Sequence, residues 1–200
     1  MVAPTPPPTL EGAARPAPTS PAELFALYER NGQCRYGEDV TVLEHALQCA
    51  ALAVADGATD ELVVAALFHD VGWLVGGETV DDARGADHAA DGARVLEPLF
   101  GTAVAQPVAL HVTAKRWRCT IDPDYYDELS EGSRITFVAQ GGPLGTDERA
   151  AFEAHPGFVT AMALRSWDDR AKVRGHGVAG LDHYRQTADA LARRHRPSGQ

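Results

Sequence analysis

Long apolar runs, paired cysteines and a basic surface are all missing from this 200-residue chain, and each absence removes a class of function. No stretch approaches the roughly 18–20 consecutive apolar residues that a membrane-spanning helix needs, so no membrane role is expected. Three cysteines, Cys34, Cys49 and Cys119, are an odd number without CxxC spacing. They signal neither a disulfide framework nor a zinc knuckle and point to a reducing, cytoplasmic setting. A formal net charge of −10 argues against a nucleic-acid partner, which requires a basic face. Alternating strand patterns are essentially absent, as are internal repeats and any sign of a second domain.

What is present is helical. Residues 1–21 are rich in proline and hold no lysine, and they are expected to form a disordered extension. Residues 22–195 then make one domain with enough chain for a real core. Ser20-Pro21 reads as a helix start. A second helix runs from Thr41 to about Ala55, with Leu43, Leu47, Ala50 and Val54 at helical spacing, and Gly57 closes it. Asp60 to about Val71 is almost wholly apolar, as a central buried helix would be. Further helices are expected over 87–100, 102–118 (with Pro107 kinking or restarting it), 129–138, 158–173 and 181–194. Gln140-Gly141-Gly142-Pro143 forms a tight turn. The expectation is an all-α bundle of roughly seven or more helices.

The chemistry starts at His69-Asp70, an imidazole and a carboxylate inside that apolar helix. Burying the pair is costly unless a partner compensates, and a metal ion does so, neutral imidazole and ionised Asp being ordinary ligands. His45, His88, His111 and Asp168 bring the candidate ligands to four imidazoles and two carboxylates, enough for two metals. Lys115 shares a helical face with His111 at i, i+4, and Arg165, Asp168 and Lys172 form one stripe. Carboxylates flanked by cations in this way suit an anionic substrate despite the acidic whole. His155, His176, His183 and His195 read as loop or solvated residues, Asp169 as a neighbour of Asp168, and Cys49 as core.

Several blocks resemble the HD-domain mixed-valent diiron oxygenases that cleave organophosphonates: Tyr36-Gly37-Glu38-Asp39-Val40-Thr41, Glu44-His45-Ala46-Leu47-Gln48, Leu110-His111 through Ala114-Lys115-Arg116, and Gln140-Gly141-Gly142-Pro143. The block Leu164-Arg165 through Trp167-Asp168-Asp169 to Ala171-Lys172 is similar to these and, more distantly, to myo-inositol oxygenase. The resemblance implies the HD fold and two iron ions, Fe(II)/Fe(III). His45, His69, Asp70 and Asp168 would hold one iron, His88 and His111 the other, with Asp70 bridging. It implies dioxygen as cosubstrate and Lys115, Ser133 and Arg165 as phosphonate-binding groups. Glu38 would cover the site, with Tyr36 beside it. Where these enzymes frequently carry a second histidine (HDIGH), this chain has Trp73, which either offers an aromatic face to a cationic substrate group or packs against the loop. The implied activity is dioxygen-dependent cleavage of the C–P bond of a small-molecule α-hydroxyphosphonate to a carboxylic acid and phosphate. Its substrate would be 1-hydroxy-2-aminoethylphosphonate or an N-methylated or shorter analogue. The alternative is metal-dependent hydrolysis of a nucleotide or other phosphate ester. Oligomeric state is left open.

Overall fold

Apolar side chains recurring at helical spacing have only one economical arrangement here, helices packed face to face, and the computed structural model shows it. The structure describes residues 16–35, 39–76 and 88–195, and among them there are eleven helices and no strand. The expected extension over 1–15 lies outside the described residues. No described helix is long and apolar enough to cross a membrane.

Local signals set the boundaries. Ser20 caps α1 (Pro21–Asn31) by accepting from the Glu23 N–H, with Pro21 in its first turn. Thr41 and Glu44 form a reciprocal capping box on α2 (Val42–Ala55), at 3.1 and 2.8 Å. Gly57 beyond its end takes φ +70°, a conformation that favours glycine. Thr59 caps α3 (Asp60–Phe68), whose residues Val63 to Phe68 are buried on every side.

One expectation needs correction here. The apolar helix does not run through to Val71: it stops at Phe68, and α4 (Val71–Gly76) begins after His69-Asp70. Pro107 is the reverse case, because α6 (Thr102–Ile121) continues through it. The proline sits in the second turn, so the main loss is one bond, to the Ala103 carbonyl. After α5 (His88–Phe100), α6 packs against α5 and α10 (Phe158–Arg170), while α3 packs against α2, α6 and α11 (Asp182–His195). Phe68 is at the centre, edge-on to Phe25 and Tyr28 at 5.2 Å and stacked with Phe100 at 6.4 Å.

Smaller helices finish one end of the bundle: α7 (Pro123–Glu128), α8 (Glu131–Ala139) and α9 (Thr146–Glu153). Phe152 of α9 joins Ala114, Leu144 and Ala161 in a satellite core. In the expected turn, Gly141 and Gly142 take φ +97° and +65°. Arg116 Nε donates to the Gly142 carbonyl at 2.8 Å, tying this turn to α6. The last long helix before α11 also ends earlier than expected, at Arg170 rather than 173. Gln48 explains this: its side chain accepts from the Val173 N–H at 3.0 Å and donates to the Val173 carbonyl at 2.9 Å. Both groups are thereby taken out of helical bonding.

Candidate metal centre

Five segments bring the six candidate ligands together. His45 comes from α2, His69 and Asp70 from the α3–α4 break, His88 from the start of α5, His111 from α6 and Asp168 from α10. None is more than 6% exposed. At the break Asp70 lines the cavity, while His69, still helical in backbone conformation, stands behind it with its Nε2 3.3 Å from that of His45.

The imidazoles are held from behind. Nδ1 of His45 donates to the Ala171 carbonyl at 2.9 Å, Nδ1 of His69 to Ala66 at 2.9 Å, and Nδ1 of His111 to Val108 at 2.6 Å. Each bond fixes the tautomer and leaves Nε2 as an inward lone pair. His45 Nε2 and His69 Nε2 then lie 3.3 Å apart, and His88 Nε2 and His111 Nε2 3.0 Å apart. Facing lone pairs repel unless a cation or proton lies between them. Ligand atoms about 2.0–2.1 Å from one metal lie roughly 3.0–3.4 Å apart at right or tetrahedral angles, so both pairs fit a metal.

Asp70 lies between the pairs. Its Oδ2 is 3.4 Å from His69 Nε2 and 3.8 Å from His45 Nε2, while its Oδ1 is 3.5 Å from His88 Nε2 and 3.8 Å from His111 Nε2. One carboxylate thus offers one oxygen to each position. Asp168 joins the first pair, with Oδ1 3.2 Å from His45 Nε2. The donor atoms of Asp70, His88 and His111 could hold one ion, all lying within 4.8 Å of one another.

The electrostatics agree with this donor set. Burial would raise the Asp70 carboxyl, but His69, His88 and His45 hold it below the usual range. Burial would likewise raise Asp168, which Arg165 and the bond to His45 hold well below it. His111 is pushed down to about 3, first by burial and then by His88 and His69, leaving a neutral imidazole. For His45 burial lowers the pKa, yet the Cys49 thiol and Asp168 together drive it well above its ordinary value. That position attracts positive charge.

Beside the ligands the cavity turns cationic. Lys115, Lys172, Arg165, Ser133 and Thr136 line it together with Trp73, Val40 and Val112. Lys115 Nζ donates to Thr136 Oγ1 at 2.8 Å and to the Ser133 carbonyl at 3.4 Å. Lys172 Nζ donates to the hydroxyls of Ser133 at 2.8 Å and Ser130 at 3.0 Å. Arg165 meets Asp168 Oδ2 at 2.8 Å and also pairs with Asp169. Asp169 is a carrier of that network rather than a surface residue, accepting from Tyr125 Oη at 2.7 Å and from Arg118 at 2.9 Å.

Of the residues singled out from the sequence, Lys115, Ser133, Arg165 and Trp73 share this cavity with the six candidate ligands, His69 standing directly behind its wall. Tyr36 and Glu38 lie outside the described residues. Trp73 is 3% exposed and stacks on His88, centroids 4.7 Å apart at 22°. Sequence reasoning missed Thr136, and it also missed the clamp role of Gln48, three residues beyond His45 on α2. His176, His183 and His195 are exposed and His155 half-buried, outside the cluster as expected.

The closeness of α4 to α5 makes one result predictable. A Cβ on Gly72 would meet the His88 carbonyl oxygen at 2.0 Å and its Cα at 2.9 Å, backbone atoms that cannot swing aside. Gly72→Ala is expected to displace His88, lower metal content and cost about 1–3 kcal/mol. Metal analysis and thermal unfolding would check this, and unchanged metal content would refute it.

Comparison with known proteins points the same way. The family model described as HD domain matches residues 42–140. The chain is 44% identical over 165 residues to a hydroxymethylphosphonate dioxygenase of Gimesia maris, covering 80% of this chain and 82% of the relative. It is 34% identical over 176 residues to a [1-hydroxy-2-(trimethylamino)ethyl]phosphonate dioxygenase (glycine-betaine-forming) of Leisingera caerulea, covering 86% and 90%. An uncharacterised protein of Acanthamoeba polyphaga mimivirus is 34% identical over 168 residues, covering 81% and 77%.

Proposed function

Because the chain belongs to the HD-domain oxygenases that cleave phosphonates, we propose that it converts a small α-hydroxyphosphonate and dioxygen into a carboxylate and phosphate. The balance is one phosphonate dianion and one O2 giving one carboxylate, one hydrogen phosphate dianion and one proton. The observation that supports this most directly is the Asp70 carboxylate set between two histidine pairs, with the lysine–arginine wall alongside. In this reading His45, His69, Asp70 and Asp168 hold one iron, and His88 and His111, sharing Asp70, hold the other. As Fe(II)/Fe(III) the pair supplies the electron transfer that dioxygen chemistry requires and a Lewis acid for the substrate hydroxyl.

The chain's own part is to bind, orient and keep water out. Lys115, Lys172 and Arg165 supply charge-assisted bonds to the phosphonate oxygens, and the Ser133 hydroxyl a further one. That grip directs the hydroxyl-bearing carbon toward the ligand cluster. Trp73, Val40 and Val112 wall the side where the carbon's substituent lies. The hydroxymethylphosphonate relative is 44% identical and the trimethylamino relative 34%, which favours a substrate with a small substituent.

The test is phosphate release by iron-loaded protein from a panel of α-hydroxyphosphonates, with and without dioxygen. Release that needs dioxygen and yields one carboxylate per phosphate is expected. Phosphate from nucleotides or other esters under anaerobic conditions, with none from phosphonates, would replace this reading with hydrolysis.

Lys115 makes the reaction pH-dependent. Burial first, then the like charges of Arg165 and Lys172, lowers its ammonium to about 7. Only the protonated form attracts a dianion, so its contribution is complete below that value and fades as pH rises through it. We expect kcat/KM to fall up to about tenfold per pH unit above 7. Lys115→Arg, which stays charged, should flatten that limb, and Lys115→Ala should chiefly raise KM. A limb that persists unchanged in Lys115→Arg would assign it to another group.

A further inference from the structure

We infer that Cys49 adds a sulfur donor to the first metal position, so that His45, Cys49 and His69 offer a two-nitrogen, one-sulfur set at which zinc competes with iron. The inference rests on reading His45, His69 and Asp168 as metal ligands, and adds to it a role for a residue that the sequence assigns to the core. Cys49 lies one turn beyond His45 on α2, on the same face. Its Sγ is 3.7 Å from His45 Nε2, and the donor atoms of His45, Cys49 and His69 all lie within 4.8 Å of one another.

The distances distinguish the two positions. Around a tetrahedral zinc, with Zn–N about 2.0–2.1 Å and Zn–S about 2.3 Å, nitrogens lie about 3.3–3.4 Å apart and nitrogen and sulfur about 3.5–3.6 Å apart. The first position shows 3.3 Å and 3.7 Å, and the Asp70 and Asp168 carboxylates approach its histidines at 3.4 and 3.2 Å. The second position has no sulfur among its grouped donors, and its histidine nitrogens are 3.0 Å apart. That separation suits the right angles of a six-coordinate ion.

Thiolate favours zinc, whereas imidazole and carboxylate alone suit iron as well. On binding, the thiol proton is released to solvent. Zinc undergoes no redox change, so a chain loaded this way is folded and silent. Cys49 thereby makes the enzyme's activity depend on the ratio of iron to zinc, not on iron alone.

Cobalt(II) added to the metal-free full-length protein reports this directly, because sulfur ligation gives a near-ultraviolet charge-transfer band that nitrogen and oxygen ligands do not. We expect that band in the parent protein. Cys49→Ser and Cys49→Ala should keep the cobalt and a helical circular-dichroism spectrum but lose the charge-transfer band. Zinc should displace iron from the parent at about tenfold lower concentration than from either variant. Cobalt bound without the charge-transfer band in the parent would overturn the role of Cys49 and leave the metal centre standing. A protein that takes up no cobalt at all would overturn the metal centre itself, and the inference with it.

Discussion

Asp70→Asn is expected to abolish dioxygen-dependent phosphate release, a fall of at least about a thousandfold, while leaving the chain folded. Losing a group that merely supports a metal ligand typically costs about 10–100-fold; Asp70 is itself a donor, and its two oxygens face different histidine pairs. The asparagine keeps the shape but replaces one oxygen with an NH2, which donates instead of accepting. Facing a pair of Nε2 lone pairs, that NH2 is a good hydrogen-bond partner and a poor metal neighbour. Metal content is expected to drop from two ions per chain to one or none. A variant that kept two ions and turned over would remove Asp70 as the bridge.

Arg165→Met is expected to do the opposite, damaging the fold as well as the reaction. Arg165 is 2% exposed and pairs with two carboxylates at once. Its removal leaves Asp168 with His45 alone among these partners, while Asp169 keeps Tyr125 and Arg118. Breaking a buried pair from one side costs about 3–5 kcal/mol, which for a chain of this length is a drop of roughly 10 °C in Tm. The sign with pH follows from Asp168, whose carboxyl is held well below the usual range largely by Arg165 against its burial. A depressed carboxylate contributes stability above its unfolded pKa and loses it as pH falls through the folded value. The gap between parent and variant should therefore be widest near neutrality and close in acid. Unfolding melts of the metal-free proteins across pH would show it, and a constant gap would contradict it. Substrate affinity should fall as well, since a charged partner of the phosphonate is gone.

The candidate ligands were legible because each carries its own chemistry: an imidazole or carboxylate in an apolar helix needs a reason to be there. The all-helical fold was legible from spacing and caps at Ser20, Thr41 and Gly57. The break at His69-Asp70 was not, because a stretch buried on every side has no periodicity to interrupt. Nor was α9, a polar helix that buries little besides Phe152. At Pro107 the structure rules out the expected restart, since α6 runs on through it. Lys172 was placed on the helical stripe of Arg165 and Asp168, yet it lies beyond the end of α10 and still reaches the cavity. A simple count held a further signal: the chain contains only two lysines, Lys115 and Lys172, and both line this one cavity. Cys49 is core as expected, and its i, i+4 spacing from His45 was the available hint to the further role proposed for it.

The imidazole of His45 has a second end. Its Nδ1 holds the Ala171 carbonyl, 126 residues away along the chain, while Gln48, one turn on, grips Val173. An ion on Nε2 therefore fastens the front of the bundle to its back through a single five-membered ring. With three free cysteines, the chain has no sulfur bridge to do this work. A metal bound as proposed would be an ionic, reversible cross-link, and the stability it adds would rise with the concentration of free metal.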